Sequence, residues 1–85
     1  MNKIEAGAVE VAVGGVNNIV EITPCISRVR IVLGDASLAD RGLLKELGAL
    51  GVVVHANIVQ IVVGPEADIL ADELSALMKK KKQAR

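Results

Sequence analysis

Phenylalanine, tyrosine and tryptophan are all absent from this 85-residue chain. Stacking of bases on aromatic side chains, the usual way to hold single-stranded nucleic acid, is therefore excluded. Ten basic residues balance ten acidic ones, so no global field draws in nucleic acid either. A single cysteine cannot close an internal disulfide. Together with the absence of a leader pattern at Met1–Glu5, this fits the reducing cytosol. No apolar run reaches the roughly 20 residues needed to span a bilayer. His55 has no second histidine to share a metal ion with, and Gly14-Gly15 belongs to no GxGxxG or GxxxxGK pattern. Neither a metal nor a cofactor is expected.

What the chain does have is aliphatic. Hydrophobic residues make up 52% of it, so the core must be built from Val, Ile, Leu and Ala. Eighty-five residues make one small domain, 1–85, with no spare core for a deep cleft, so any site is expected to be shallow and to face a partner.

Punctuation along the chain predicts the elements. Ile4, Ala8, Val11 and Ala12 fall on one helical face within residues 3–13, and Gly14-Gly15 stops that helix. Ile19–Ile22 reads as a short strand ended by Pro24. Ile26–Leu33 reads as the clearest strand, with Thr23, Pro24 and Cys25 in the hairpin turn before it. Asp40 reads as an N-cap for a short helix carrying Leu43, Leu44 and Leu47, closed by Gly48. Val52–Val54 and Ile58–Val63 read as strands joined by a turn at His55, Ala56 and Asn57. Gly64-Pro65 opens a last helix with Pro65 at its first position. Leu70, Leu74 and Leu77 line one face of it, with Ile69 and Met78 beside them. The predicted order is α-β-β-α-β-β-α. It implies an α+β fold, a four-stranded antiparallel sheet with three helices on one face.

The chemistry concentrates around Cys25. A thiol attacks as thiolate, and neighbouring cations favour that form. Arg28 and Arg30 are two apart on a strand, so their side chains leave the same face about 7 Å apart. Guanidinium groups hold phosphate oxygens in a fork and keep their charge. Turn amides at Ile26 and Ser27, and the Ser27 hydroxyl, add donors. Phosphoryl transfer rests mostly on positioning and electrostatics, so this small set suffices. Bland readings stand beside this one. A lone cysteine is commonly an inert buried hydrophobe, although a turn next to Pro24 is a poor place to bury one. Arg28 and Arg30 on an exposed face are commonly solvated, and a cross-strand pair of Arg30 with Glu21 is open to them. Strand parity puts Cys25 on the Ser27 side, away from the arginines. His55 reads as a surface turn residue. Gln60 reads as a solvated strand residue or a hydrogen-bond donor at an interface. Lys79–Lys82 reads as a frayed, solvated helix end, with contact to anionic lipid heads as the sharper reading.

The stretch from Asn18 to Asp35 resembles the phosphocysteine signature of EIIB components of the phosphoenolpyruvate-dependent sugar phosphotransferase system, in the glucose/N-acetylglucosamine type. Asn18, Ile19, Cys25, Arg28, Val29, Ile31, Leu33 and Asp35 fit the signature, and Ser27 replaces its threonine while keeping the hydroxyl. The segment Gly42–Val54 is similar to the family's leucine-glycine segment, and Val59, Gln60 and Gly64 match its fourth strand. The resemblance covers residues 15–78 and leaves 79–85 as a basic tail. It implies an EIIB phosphocarrier, a phosphotransferase that accepts a phosphoryl group on Cys25 from a phosphohistidine of the EIIA component. The group then passes to a sugar held by the membrane EIIC component, with Arg28 and Arg30 tied to that transfer. It implies a cytoplasmic protein held at the inner face of the membrane through EIIC. Thr23 and Pro24 stand where the family has an acidic and a small residue, and with Gln60 they are expected at the partner interface. The alternative is a non-catalytic docking module that signals phosphorylation state to a transcriptional regulator. A ferredoxin-like ligand-binding sheet domain would leave the Cys25–Arg30 run unexplained.

Overall fold

The structure, a computed structural model, describes residues 4–83. Its elements are α1 (Ala6–Ala12), β1 (Ile19–Pro24), β2 (Arg28–Leu33), α2 (Arg41–Glu46), β3 (Gly51–His55), β4 (Ile58–Val62) and α3 (Ala67–Gln83). The order of helices and strands is the expected one. Two 3₁₀ turns, Val16–Asn18 and Ala36–Leu38, were not anticipated.

The four strands form one sheet in the order β1-β2-β4-β3, antiparallel throughout. Side chains alternate across the pleat, and the two central strands show it plainly. Val29, Ile31 and Leu33 of β2 and Val59 and Ile61 of β4 are fully buried. Val9 and Val13 from the α1 segment, Leu44 from α2, and Ala67, Leu70, Ala71 and Leu74 from α3 join them in one core. All three helices therefore cover one face, and the other face of the sheet stays open. Pro24 closes β1 at the sheet edge, where its missing amide hydrogen breaks no inner ladder.

Several local expectations need correction. Ile26 and Ser27 do not begin β2, which starts at Arg28; they form the hairpin turn, while Thr23 and Pro24 belong to β1. The buried residues of α1 are Val9, Glu10 and Ala12, whereas Val11 is 66% exposed. Six of the eight residues from Ala6 to Val13 are apolar, so periodicity alone cannot choose the inward face. Pro65 lies two residues before α3, in a turn where the Ala67 amide donates to the Gly64 carbonyl at 3.2 Å. Ile69 points outward, and Ala67 and Ala71 take the inner positions. Lys79–Lys82 are not frayed: α3 runs on to Gln83, and Lys81 Nζ donates to Glu10 Oε1 at 2.5 Å. The other end of the basic tail, residues 84–85, lies outside the described residues.

Two polar side chains define the joints between elements. Buried Asn18 donates through Nδ2 to the carbonyls of Val13 (2.8 Å) and Asp35 (2.9 Å), and its Oδ1 accepts from the Asp35 amide at 2.8 Å. This ties the end of α1 to the loop after β2. Gly14 is required beside it. Its φ is +102°, and a Cβ there would sit 2.8 Å from Asn18 Nδ2 and 2.9 Å from Leu38 Cβ. Asp40 caps α2 as expected, its Oδ1 accepting from the Leu43 amide at 3.0 Å. Asp40→Ala leaves that amide to water and should cost about 1 kcal/mol, read as a lower urea midpoint at an unchanged m-value.

Candidate functional site

The turn between β1 and β2 carries the only cysteine. The Cys25 amide donates to the Arg28 carbonyl at 2.7 Å, one step beyond the pairs Thr23↔Arg30 and Pro24↔Val29. Cys25 therefore continues the register of β1 and lies opposite Arg28. Alternation from Thr23 then carries it to the open face of the sheet, where Arg28 and Arg30 also project. This corrects the placement on the Ser27 side. Parity counted backwards from β2 fails because the chain reverses at Ile26 and Ser27, so Cys25 belongs to the other strand.

Three features hold and expose the thiol. Cys25 is a free cysteine on the surface. The Ser27 carbonyl accepts from the amides of Val63 (2.9 Å) and Gly64 (3.0 Å), which fastens the turn to the end of β4. At the tip, Ile26 is 95% exposed. The amides of Ile26 and Ser27 make no hydrogen bond among the described residues, so they remain as donors beside the sulfur. Arg28 is exposed and Arg30 half-buried.

The open face arranges the remaining candidates in rows. Thr23, Arg30, Gln60 and Val53 are successive partners across all four strands. Gln60 is the diagonal neighbour of Arg28, and its Oε1 accepts from Arg28 Nη1 at 3.1 Å. The amide of Gln60 thus acts within the chain, turned toward a residue of the thiol end. Arg30 does not pair with Glu21. Thr23 stands opposite Arg30, Glu21 stands opposite Val32, and the Glu21 carboxylate accepts from the Thr23 hydroxyl at 3.5 Å. The two-residue turn at Ile26 and Ser27 sets that register, and the bulge between Ile19 and Glu21 shifts only the pairing beyond Glu21.

His55 ends β3 rather than sitting in the turn, which is formed by Ala56 and Asn57. It lies in the row of Ile58 and Val32, four residues along the strand from the row that carries Arg28. That separation is about 13 Å, so His55 does not serve the thiol.

Asp35, at the end of the cysteine stretch, is structural. Its carboxylate accepts from the Ser37 hydroxyl (2.6 Å) and amide (3.0 Å), and these bonds hold its pKa below the ordinary 3.8. The stability it lends the 3₁₀ turn is present above the ordinary carboxylate range and lost as pH falls through the lowered value. Sequence reading missed the joint role of Asn18 and the Glu10–Lys81 pair. Asparagine just after a Gly-Gly helix stop was the one available signal for the first. Nothing local marks the second, whose partners are 71 residues apart. Among the described residues, no helix is long and apolar enough to cross a membrane.

Comparison with known proteins bears on the family and the fold. A family model described as the phosphotransferase system, EIIB, matches residues 11–40. The chain is 41% identical over 76 residues to the PTS system N-acetylglucosamine-specific EIIB component of Streptomyces coelicolor, covering 89% of this chain and 92% of that protein. It is 40% identical over 68 residues to the PTS system maltose-specific EIICB component of Escherichia coli, of which it spans only 13%. Among solved structures, one domain of the PTS system IIabc component from Clostridium difficile superposes with a TM-score of 0.69. The match covers 88% of this chain and 76% of that one at 22% identity, a likeness of fold. With 41% identity over nearly the full length of a relative and a shared fold, the chain belongs to the EIIB family of phosphotransferase-system components.

Proposed function

We propose that Cys25 carries the phosphoryl group. The Cys25 thiolate attacks the phosphorus of a phosphohistidine on an EIIA component. An S–P bond forms as the N–P bond breaks, and the departing imidazole takes up a proton. A hydroxyl of a sugar held by a membrane EIIC component then attacks the same phosphorus. The S–P bond breaks, the thiolate is restored, and the sugar hydroxyl proton passes to solvent or a base of the EIIC site.

The observation that carries this reading is the register that sets Cys25 opposite Arg28, with two unengaged turn amides beside the sulfur. The amides of Ile26 and Ser27 and the guanidinium groups of Arg28 and Arg30 are suited to the phosphoryl oxygens, in the manner of preorganised donors. Gln60 steadies Arg28. Thr23, Pro24 and the exposed Ile26 surround the thiol and would form the contact with both partners. The Klebsiella pneumoniae relative is named an EIICBA component and the Bacillus subtilis relative an EIICB component. Such names support EIIA and EIIC as partners, and with them a place at the inner face of the membrane through EIIC. The sugar is one of the range handled by systems of the glucose/N-acetylglucosamine type.

The reading is tested by phosphorylating the chain from phosphoenolpyruvate through the general components and an EIIA. Peptide mapping should place the phosphate on the peptide containing Cys25, and a phosphate found elsewhere would overturn it. Arg28→Gln and Arg30→Gln should each slow transfer to sugar by about 10²- to 10³-fold, the usual loss for one charge-stabilising donor. Lysine at either position should restore part of the rate, because it keeps the charge but not the fork.

A further inference from the structure

Away from the thiol, the chain carries a second feature that phosphoryl transfer does not use. β1 is an edge strand, and the irregularity between Ile19 and Glu21 leaves Val20 outside the ladder and 64% exposed. Between this edge and the last turns of α3 lies an open cleft of about 390 Å³. Val20, Ile22 and Met78 supply its apolar lining, and Lys79 and Lys82 supply positive charge. Ser75, Met78, Lys79 and Lys82 follow the i, i+3, i+4, i+7 spacing, so one stripe of α3 faces the cleft.

The stripe is held in place. Lys81 is bonded to the buried carboxylate of Glu10, which fastens the end of α3 to α1. Lys79, Lys80 and Lys82 remain exposed, with no ion-pair partner among the described residues. Glu21 also lines the cleft, one carboxylate against two lysines, and it accepts a hydrogen bond from Thr23. Because the whole chain has no net charge, any attraction for an anion must be local to such a cluster.

We propose that this cleft docks the protein on anionic phospholipid head groups of a bilayer. The ammonium groups of Lys79 and Lys82 meet the phosphates, and their alkyl stems run along the apolar surface. Val20, Ile22 and Met78 reach the boundary with the acyl chains, the arrangement by which apolar area and charge together hold interfacial helices. The contact is independent of the assignment of Cys25. α3 starts beside Gly64, which is bonded to the thiol turn, and its far end is about 25 Å away. A lipid-bound molecule therefore leaves Cys25 free for a partner.

The test is flotation of the full chain with vesicles of phosphatidylglycerol and phosphatidylcholine, against phosphatidylcholine alone. Binding should require the anionic lipid and fall as salt rises from about 0.05 to 0.5 M. Lys79→Ala with Lys82→Ala should weaken it about 30-fold, at roughly fivefold per lysine near a charged surface. Val20→Ser should weaken it at unchanged charge. Arg41→Ala with Lys45→Ala removes the same charge from α2 and should change binding less than threefold. Circular dichroism checks that each variant is folded. Equal loss from the two double variants, equal binding to neutral vesicles, or no vesicle binding would each overturn the proposal. So would retention on an immobilised acidic peptide without vesicle binding, which would assign the cleft to a protein partner.

Discussion

Cys25→Ser should abolish passage of phosphate to sugar, with a loss on the order of 10⁴-fold or more, while leaving the fold intact. The two halves of this expectation have separate causes. A few per cent of an ordinary thiol is already thiolate at neutral pH and the sulfur is intrinsically nucleophilic, whereas a hydroxyl needs a base to activate it. No histidine is within reach to play that part, since the chain's one histidine lies in a distant row of the sheet. Stability should be unaffected, because Cys25 is exposed and the hairpin is held by backbone bonds. An exposed substitution of this kind shifts stability by no more than about 0.5 kcal/mol. The measurement pairs a coupled transfer assay with a thermal melt. A serine variant that passes phosphate at the native rate would end the phosphocysteine reading. One that fails only because it has unfolded would instead show a structural role for the thiol.

The second large effect is on stability. Leu74 is fully buried in the middle of α3, where that helix crosses the covered face of the sheet. Leu74→Ala should cost about 2–5 kcal/mol, from lost transfer energy and from the cavity left behind. A domain of this size has little to spare, and each kcal/mol lowers its melting temperature by about 4–8 °C. The expected drop is thus roughly 8–40 °C. No aromatic side chain is present to relax into the space, because the core is wholly aliphatic. Ile69→Ala provides the contrast: Ile69 is on the same helix but 49% exposed, so it should cost under about 1 kcal/mol. Equal effects from the two would mean that α3 packs by a different face. At temperatures where Leu74→Ala stays folded it should still accept phosphate, since the thiol turn is anchored through Ser27 to the backbone of Val63 and Gly64, ahead of α3 and away from Leu74.

Most of the fold was legible because its signals are local. Alternation of Val29, Ile31 and Leu33 against Arg28 and Arg30 sorted the central strand into a covered and an open face. Asp40 announced its helix through a side chain that reaches only three residues on. The errors came where the chain is uniformly apolar or reverses. In α1 nearly every residue is a candidate for the core, and only packing against α2 and α3 settled that Val9 turns in and Val11 out. At the hairpin, counting parity through Ile26 and Ser27 put Cys25 on the wrong side. The lysine run looked frayed because nothing near it in the chain can neutralise it. Its partner, Glu10, sits at the opposite end of the sequence.

The residue types along the chain decided the elements, the aliphatic character of the core, and the cysteine stretch that places the protein in its family. These depend on side-chain chemistry and spacing within a few residues. Tertiary structure alone decided that β2 lies between β1 and β4, which hairpin register sets Cys25 opposite Arg28, that Gln60 bonds to Arg28, and that Glu10 closes on Lys81. All but the hairpin register are contacts between segments distant in sequence. Such contacts are chosen by competition among whole packings, in which the burial of Val29, Ile31, Val59, Ile61 and Leu74 together outweighs any local preference.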